Sequence, residues 1–334
     1  MPKTLDFSAF KSAAEIADAT REGKIIRCGW IPPDERTKEQ RAQAQAFHAS
    51  LSPFGIRGRF RANQRRYPLW MAWKILTGEF APYNWQQTGS CVGAGGDNAL
   101  KTFLAFNILM GGALEELRHV WWPYAYGLSR YYSGMRRPGE GSTGSGWAEA
   151  VLKDGFIEDD GKGGKLPDFT IRDGWLVLPG SVEIKWSDGG AIADEYLTAG
   201  RSRPIKSMAR MRGKADCYEA VANGYPLTQA SNFGFSNPRV QGSRQPIRVA
   251  TWNGSWSHQT YVDEVWDHPE LNGIYFRWGN NWGPDAHGSP TGDEPPGGVY
   301  IHENTMDQIC KNGEVYALSG AQGFPAQEVE FSAF

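Results

Sequence analysis

The chain has 334 residues, 40% of them apolar and 22% charged, enough apolar material for a large core in one big domain with an appendage or in two domains. A net charge of −2 gives no overall drive toward nucleic acid or anionic lipid, so neither is expected as a partner. No apolar run approaches the ~18 residues of a membrane span, and the opening MPKTLDFSAFKSAAEIADATREGK has no apolar signal-peptide core; a cytoplasmic location is expected.

In chain order, residues 1–79 read as a basic N-terminal extension and residues 80–334 as the folded domain. Residues 1–80 carry 14 Lys and Arg against 8 Asp and Glu, leaving 21 against 29 in the rest of the chain, so extension and body attract each other. Within the extension, SAAEIADATREGK and KEQRAQAQAFHASL have helical spacing, separated by the turn GWIPPDE and followed by the basic stretch IRGRFRANQRR; no compact core is evident. Residues 91–112 have the apolar spacing of a buried helix that closes on a Gly pair. Its early glycines, Gly93, Gly95 and Gly96, each weaken it by roughly 1 kcal/mol relative to Ala, so close packing is expected there. A helix over WWPYAYGLSRYYSG, a Gly-rich loop PGEGSTGSG and a helix WAEAVLKDG complete a helical half.

Residues 156–213 look loop-rich. A helix ADCYEAVANG then ends on Gly224 before the strand-like run YPLTQASNFGF, and four further strand patterns follow: RVATWNG, HQTYVDEVW, GIYFRWGNN and GGVYIHE. Helices first and strands afterwards imply an α+β fold. The 14 Trp are assigned mainly to core packing.

Cys28, Cys91, Cys217 and Cys310 form no CxxC pair, and His48, His119, His268, His287 and His302 have no partner at metal-ligand spacing. No metal or cofactor is expected. GKGGK lacks the Ser or Thr and the preceding strand of a phosphate loop. Cys91 stands where the turn QQTGS enters a helix, and a helix N-terminus favours thiolate. Downstream, a strand pattern carries His258, and the string NNWG supplies Asn280, Asn281, Trp282 and Gly283.

Cysteine, histidine and asparagine in that order, with NWQQTGSCVGAG, SHQTYVDEVW and NNWG around them, resemble the papain-like cysteine peptidases over residues 80–320. The resemblance implies a two-lobe fold, with a helical N-terminal lobe holding a central active-site helix and a C-terminal antiparallel β-barrel-like lobe. It implies that Cys91 attacks the acyl carbon to form a thioester acyl-enzyme, His258 moves the proton and Asn280 orients the imidazole, with Trp282 as its shield. An oxyanion would be held by the Cys91 N–H and a glutamine amide, Gln86 first and Gln87 second, worth about 10²–10³ in rate per donor. Gly144, Ser145, Gly146 and Trp147 would meet an extended peptide or protein substrate.

Three features depart from that family. Its glutamine lies six residues before the cysteine, whereas here position 85 is Trp and the glutamines stand at five and four; the residue three before the cysteine is Thr88, so the disulfide of secreted members is absent. Residues 1–79 also do not read as the long helical inhibitory prosegment of lysosomal members. These departures support an alternative reading, a structural component of a virus particle or other assembly that keeps the fold and uses residues 1–79 to meet a protein partner. Opposite charge would also let that extension occlude the cleft.

Overall fold

The computed structural model describes residues 29–57, 64–111, 117–159, 166–167, 169–325 and 327. The expected helix SAAEIADATREGK, Cys28, residues 58–63 of the basic stretch and the GKGGK loop lie outside them.

Helix α1 (Lys38–Ser50) is fixed at its start by a reciprocal pair: the Thr37 hydroxyl accepts from the Gln40 N–H, and the Gln40 side chain accepts from the Thr37 N–H, satisfying two otherwise orphaned donors. It buries Ala44 and Phe47. Strand β1 (Arg66–Pro68) and helix α2 (Met71–Thr77) follow. The described part of residues 1–79 donates Trp30, Phe47, Tyr67, Leu69 and Ala72 to the core of the body.

The helical half consists of α3 (Cys91–Leu109), α4 (Trp122–Tyr132) and α5 (Gly144–Lys153). The early glycines of α3 are where close packing needs them. A Cβ on Gly95 would lie 2.6 Å from the Gln259 carbonyl oxygen, and one on Gly96 would lie 2.2 Å from the Trp147 ring, so α3 meets both the sheet and α5 at backbone distance. The start of α5 is earlier than expected. Thr143 caps it by accepting from the Gly146 N–H at 2.9 Å, which turns Gly144, Ser145 and Gly146 into its first turn rather than loop.

Residues 156–213 are also more regular than their pattern suggests, with strands Thr170–Arg172 and Trp175–Val177, helices α6 (Gly180–Trp186) and α7 (Asp194–Arg201), and strand β2 (Ser207–Arg210). Each is too short to show a period. Helix α8 (Lys214–Ala222) precedes Gly224, whose φ of 85° turns the chain sharply.

The strands that follow are β3 (Leu227–Phe235), β4 (Arg239–Gln241), β5 (Ile247–Ala250), β6 (Trp252–Asp267), β7 (Ile274–Gly279) and β8 (Gly298–His302). Helix α9 (Glu303–Asn312) and strand β9 (Glu314–Ser319) complete the chain's contribution to the sheet; neither was anticipated. The sheet runs β4-β5-β8-β7-β6-β3-β9-β2, with β1 also on β6. Its pairs are antiparallel except β5 with β8. Trp70, Trp121, Trp122, Trp147, Trp175 and Trp278 are all buried, as packing residues should be.

Candidate active site

Cys91 is the first residue of α3 and is wholly buried. The N–H of Gln259 in β6 points at its sulfur, 3.4 Å away, so the sulfur sits where the helix start meets the strand that carries His258. The loop before it is fixed from below by Glu183 of α6. That carboxylate accepts from the Gln87 N–H at 2.9 Å, the Thr88 hydroxyl at 2.7 Å and the Ser90 hydroxyl at 2.5 Å. Burial pushes the Glu183 carboxyl up to about 7 despite these donors, because all of them are neutral.

His258 lies in β6 just after two irregularities of its pairing with β3, and Asn280 follows the last residue of β7. Neighbouring antiparallel strands thus bring the two side chains together: His258 Nε2 lies 2.8 Å from Asn280 Oδ1. The Trp282 ring stacks on the imidazole, centroids 4.5 Å apart at 30°.

Asn280 is oriented from behind as well. Its Nδ2 lies 3.1 Å from His287 Nε2, and burial pushes the His287 imidazole down to about 3. A neutral His287 accepts through Nε2, which fixes the amide with Nδ2 toward His287 and Oδ1 toward His258. His287, which has no partner at metal-ligand spacing in the sequence, is buried against Asn280; a lone histidine in a Pro-Asp-Ala-His loop carried no local signal of this contact.

Gln86 and Gln87 are both buried. The Gln86 amide accepts from Asn281 Nδ2 and donates to the Thr88 carbonyl at 2.8 Å, and the Gln86 N–H donates to the Asn281 carbonyl. The Gln87 amide donates to the carbonyls of Trp85 and Gln86. Gln86 therefore ties the loop before the cysteine to the loop after β7. Of the four residues read as substrate-facing, Gly144 donates its N–H to Glu314 of β9, the Ser145 hydroxyl lies 3.2 Å from that of Thr143, and Gly146 belongs to the cap. Trp147 turns into the core, where its Nε1 donates to Asp97 at 2.9 Å.

The chain's own residues 29–31 cross this site. Gly29, at φ 92°, lies so close that a Cβ there would be 2.0 Å from the Gly89 carbonyl oxygen and 3.1 Å from the Cys91 sulfur. Trp30 pairs with Ser142 as a parallel bridge: Ser142 N–H donates to Gly29 and Ile31 N–H donates to Ser142. The Trp30 N–H donates to the carbonyl of Ser257, next to His258. A latch holds this segment. Arg36 makes two bonds to the Glu314 carboxylate, at 2.9 and 2.5 Å, and the Trp30 indole donates to the same carboxylate at 2.9 Å.

Away from the site, Cys217 of α8 and Cys310 of α9 are thiols, buried with their sulfurs 3.3 Å apart. Among the described residues no helix is long and apolar enough to cross a membrane.

No protein-family model matches the sequence, and comparison with curated protein sequences gives no match. Among solved structures the chain is similar to xylellain, a cysteine protease from Xylella fastidiosa, at 13% identity and a TM-score of 0.53, covering 88% of this chain and 96% of that one. It also aligns with a mite-allergen structure from work on Blo t 1 and Der p 1, at 11% identity and a TM-score of 0.46 over 87% of this chain and 85% of that one. The fold is papain-like. Its helical half and its mostly antiparallel sheet are those the sequence implied, with Cys91 opening the buried helix and His258 and Asn280 on adjacent strands of the sheet half.

Proposed function

We propose that the chain is a papain-like cysteine hydrolase that cleaves a peptide or protein amide through a thioester acyl-enzyme, and that residues 29–36 hold it latent. The observation that carries this reading is the His258–Asn280 bond beneath Trp282, on the strand whose Gln259 N–H touches the Cys91 sulfur. Asn280 Oδ1 accepts from His258 Nε2–H, which leaves Nδ1 to take the thiol proton and return it to the leaving amine. Cys91 Sγ attacks the acyl carbon, the amine departs with that proton, and water then releases the acid from the thioester with His258 as base. The oxyanion is held by the Cys91 N–H and by a glutamine amide, Gln86 or Gln87, that turns from the local carbonyl it now serves. An extended substrate takes the Ser142 backbone groups that Gly29 and Ile31 now use.

The test is alkylation of the full chain with iodoacetamide or an epoxysuccinyl peptide at pH 6, with adducts mapped by mass spectrometry, in the parent protein and in Arg36→Ala. Cys91 is expected to react faster in Arg36→Ala than in the parent, ahead of Cys217 and Cys310, and to lose that advantage when His258→Ala is added. Labelling of Cys91 no faster than of Cys28, Cys217 or Cys310 in the unlatched chain would overturn the reading, leaving a protein that keeps the fold without its chemistry.

A further inference from the structure

Glu314 is an unexpected residue for its place. It opens a strand, EVYALS, whose six residues are all buried, and an isolated buried carboxylate is costly unless paired. Its permanent neighbours supply only part of what it needs. The Gly144 N–H donates to Oε2 at 3.1 Å, and His48 of α1 lies 3.8 Å from Oε1 while bonded to the Tyr316 hydroxyl at 2.6 Å. The only cation at hydrogen-bonding distance among the described residues is the Arg36 guanidinium. The rest of its partnership, Arg36 and the Trp30 indole, belongs to the segment that lies across Cys91.

The backbone of that segment occupies positions that any extended chain in the cleft would use, since the Ser142 N–H and C=O and the Ser257 C=O are fixed on the body. The side chain of the residue paired with Ser142 reaches Glu314, as the 2.9 Å bond from Trp30 Nε1 demonstrates. When segment 29–36 leaves, the same carboxylate is left facing the volume beside Ser142 without its guanidinium. A planar guanidinium returns two parallel bonds to it; an aliphatic side chain leaves it desolvated and unpaired.

We infer that Glu314 is the specificity-determining residue of the site and that the enzyme selects peptides carrying an arginine at the residue that pairs with Ser142, Arg36 being the internal occupant of the same carboxylate. The inference rests on the hydrolase reading of Cys91 and names the substrate class that goes with it. Lysine fits less well, because an ammonium cannot make the two parallel bonds that Arg36 makes.

The experiment uses the full chain with Arg36→Ala and two irreversible peptidyl epoxide probes that differ only in carrying Arg or Leu, the variable side chain placed one or two residues before the electrophile. Rates of adduct formation on Cys91 are followed by mass spectrometry. For one of the two placements, the Arg probe is expected to react ~10–100-fold faster than the Leu probe. Adding Glu314→Gln should remove that preference by slowing the Arg probe while the Leu probe holds or gains. This crossed response cannot come from a general loss of folding, which would slow both. Equal rates for the two probes at both placements, with Cys91 still labelled in a His258-dependent way, would overturn the specificity and leave the hydrolase reading standing. Failure of every probe at Cys91 would remove both.

Discussion

Two buried glutamates flank the cleft, and they are used in opposite ways. Glu183 lies under the loop before Cys91 and meets only neutral donors, the Gln87 N–H and the hydroxyls of Thr88 and Ser90. Glu314 lies beside the cleft and meets a cation from a different part of the chain, Arg36. Burial raises the carboxyl of Glu183 to about 7. Burial also pushes Glu314 upward, but the Arg36 charge and the bonds from Arg36 and Trp30 outweigh it and hold the carboxyl at about 2. The same side chain in the same depth of protein therefore becomes a fixed brace for a loop or one half of a separable contact, according to whether its partner is a dipole of the body or a charge on a strap.

The largest expected effect is on the strap. Arg36→Ala leaves Glu314 buried and uncompensated, and breaking a buried pair from one side costs about 3–5 kcal/mol. Because the strap can detach while the body keeps its sheet, that cost should appear as release of residues 29–36, seen as faster amide exchange at Trp30 and Ile31 and at Ser142, with the exchange of β6 and β7 unchanged. Equal loss of protection throughout the sheet would instead make Arg36 an ordinary core residue and dissolve the contrast with Glu183.

Removal of the other glutamate should act on the body. Glu183→Ala leaves one N–H and two hydroxyls buried without their acceptor, at about 1–3 kcal/mol for each left unsatisfied, so thermal stability falls and Cys91 loses reactivity together with it. Glu183→Gln separates charge from hydrogen bonding. The folded carboxyl titrates near 7 against an ordinary 4.5, so the folded state holds a proton that the unfolded chain has lost between those values, and the parent loses stability as pH rises through that window. The Gln variant should flatten that slope in denaturant unfolding measured from pH 4.5 to 7. For Glu314 the sign is reversed: the stabilisation is fully present above its ordinary 4.5 and is lost as pH falls toward about 2, so acid should loosen the strap while relieving Glu183.

A smaller effect is expected at His287, which acts only through Asn280. His287→Phe removes the acceptor that fixes the Asn280 amide, and turnover should fall by about 10-fold, as losses of outer-shell hydrogen bonds typically do, with KM little changed. Restoration by His287→Gln, whose side-chain carbonyl can accept the same bond, would separate positioning from packing; an unchanged rate in the Phe variant would show that Asn280 needs no such support.

The elements that carry the three candidate residues could be read before any coordinates, because their strings have informative neighbours: the Gly-Ser turn and glycines around Cys91, the strand pattern around His258, and Trp282-Gly283 after Asn280. The rest was hidden for physical reasons. Residues 156–213 carry α6 and with it Glu183, but a seven-residue helix shows no period. Glu314 lies beyond the last strand pattern of the sequence, and nothing local shows that Arg36, 278 residues earlier, reaches it. The extension reads as having no core because its tryptophan and tyrosine side chains are buried among residues of the body. Where the sequence offered only charge, a basic segment against an acidic body, the described residues show where some of it goes: Arg65 pairs with Asp267, Arg66 with Glu264 and Asp293, and Arg36 with Glu314 beside the cysteine.

The central claim is that Cys91 forms an acyl-enzyme with His258 as its proton carrier. The most direct measurement is an acid quench of the full-length Arg36→Ala protein mixed with an activated ester of an arginine-containing peptide, followed by intact-mass and peptide mapping. The account predicts one acyl group on Cys91, absent in Cys91→Ala and slow to form in His258→Ala. Acyl groups on Cys217 or Cys310 alone, or none on Cys91 while the protein remains folded, would contradict it.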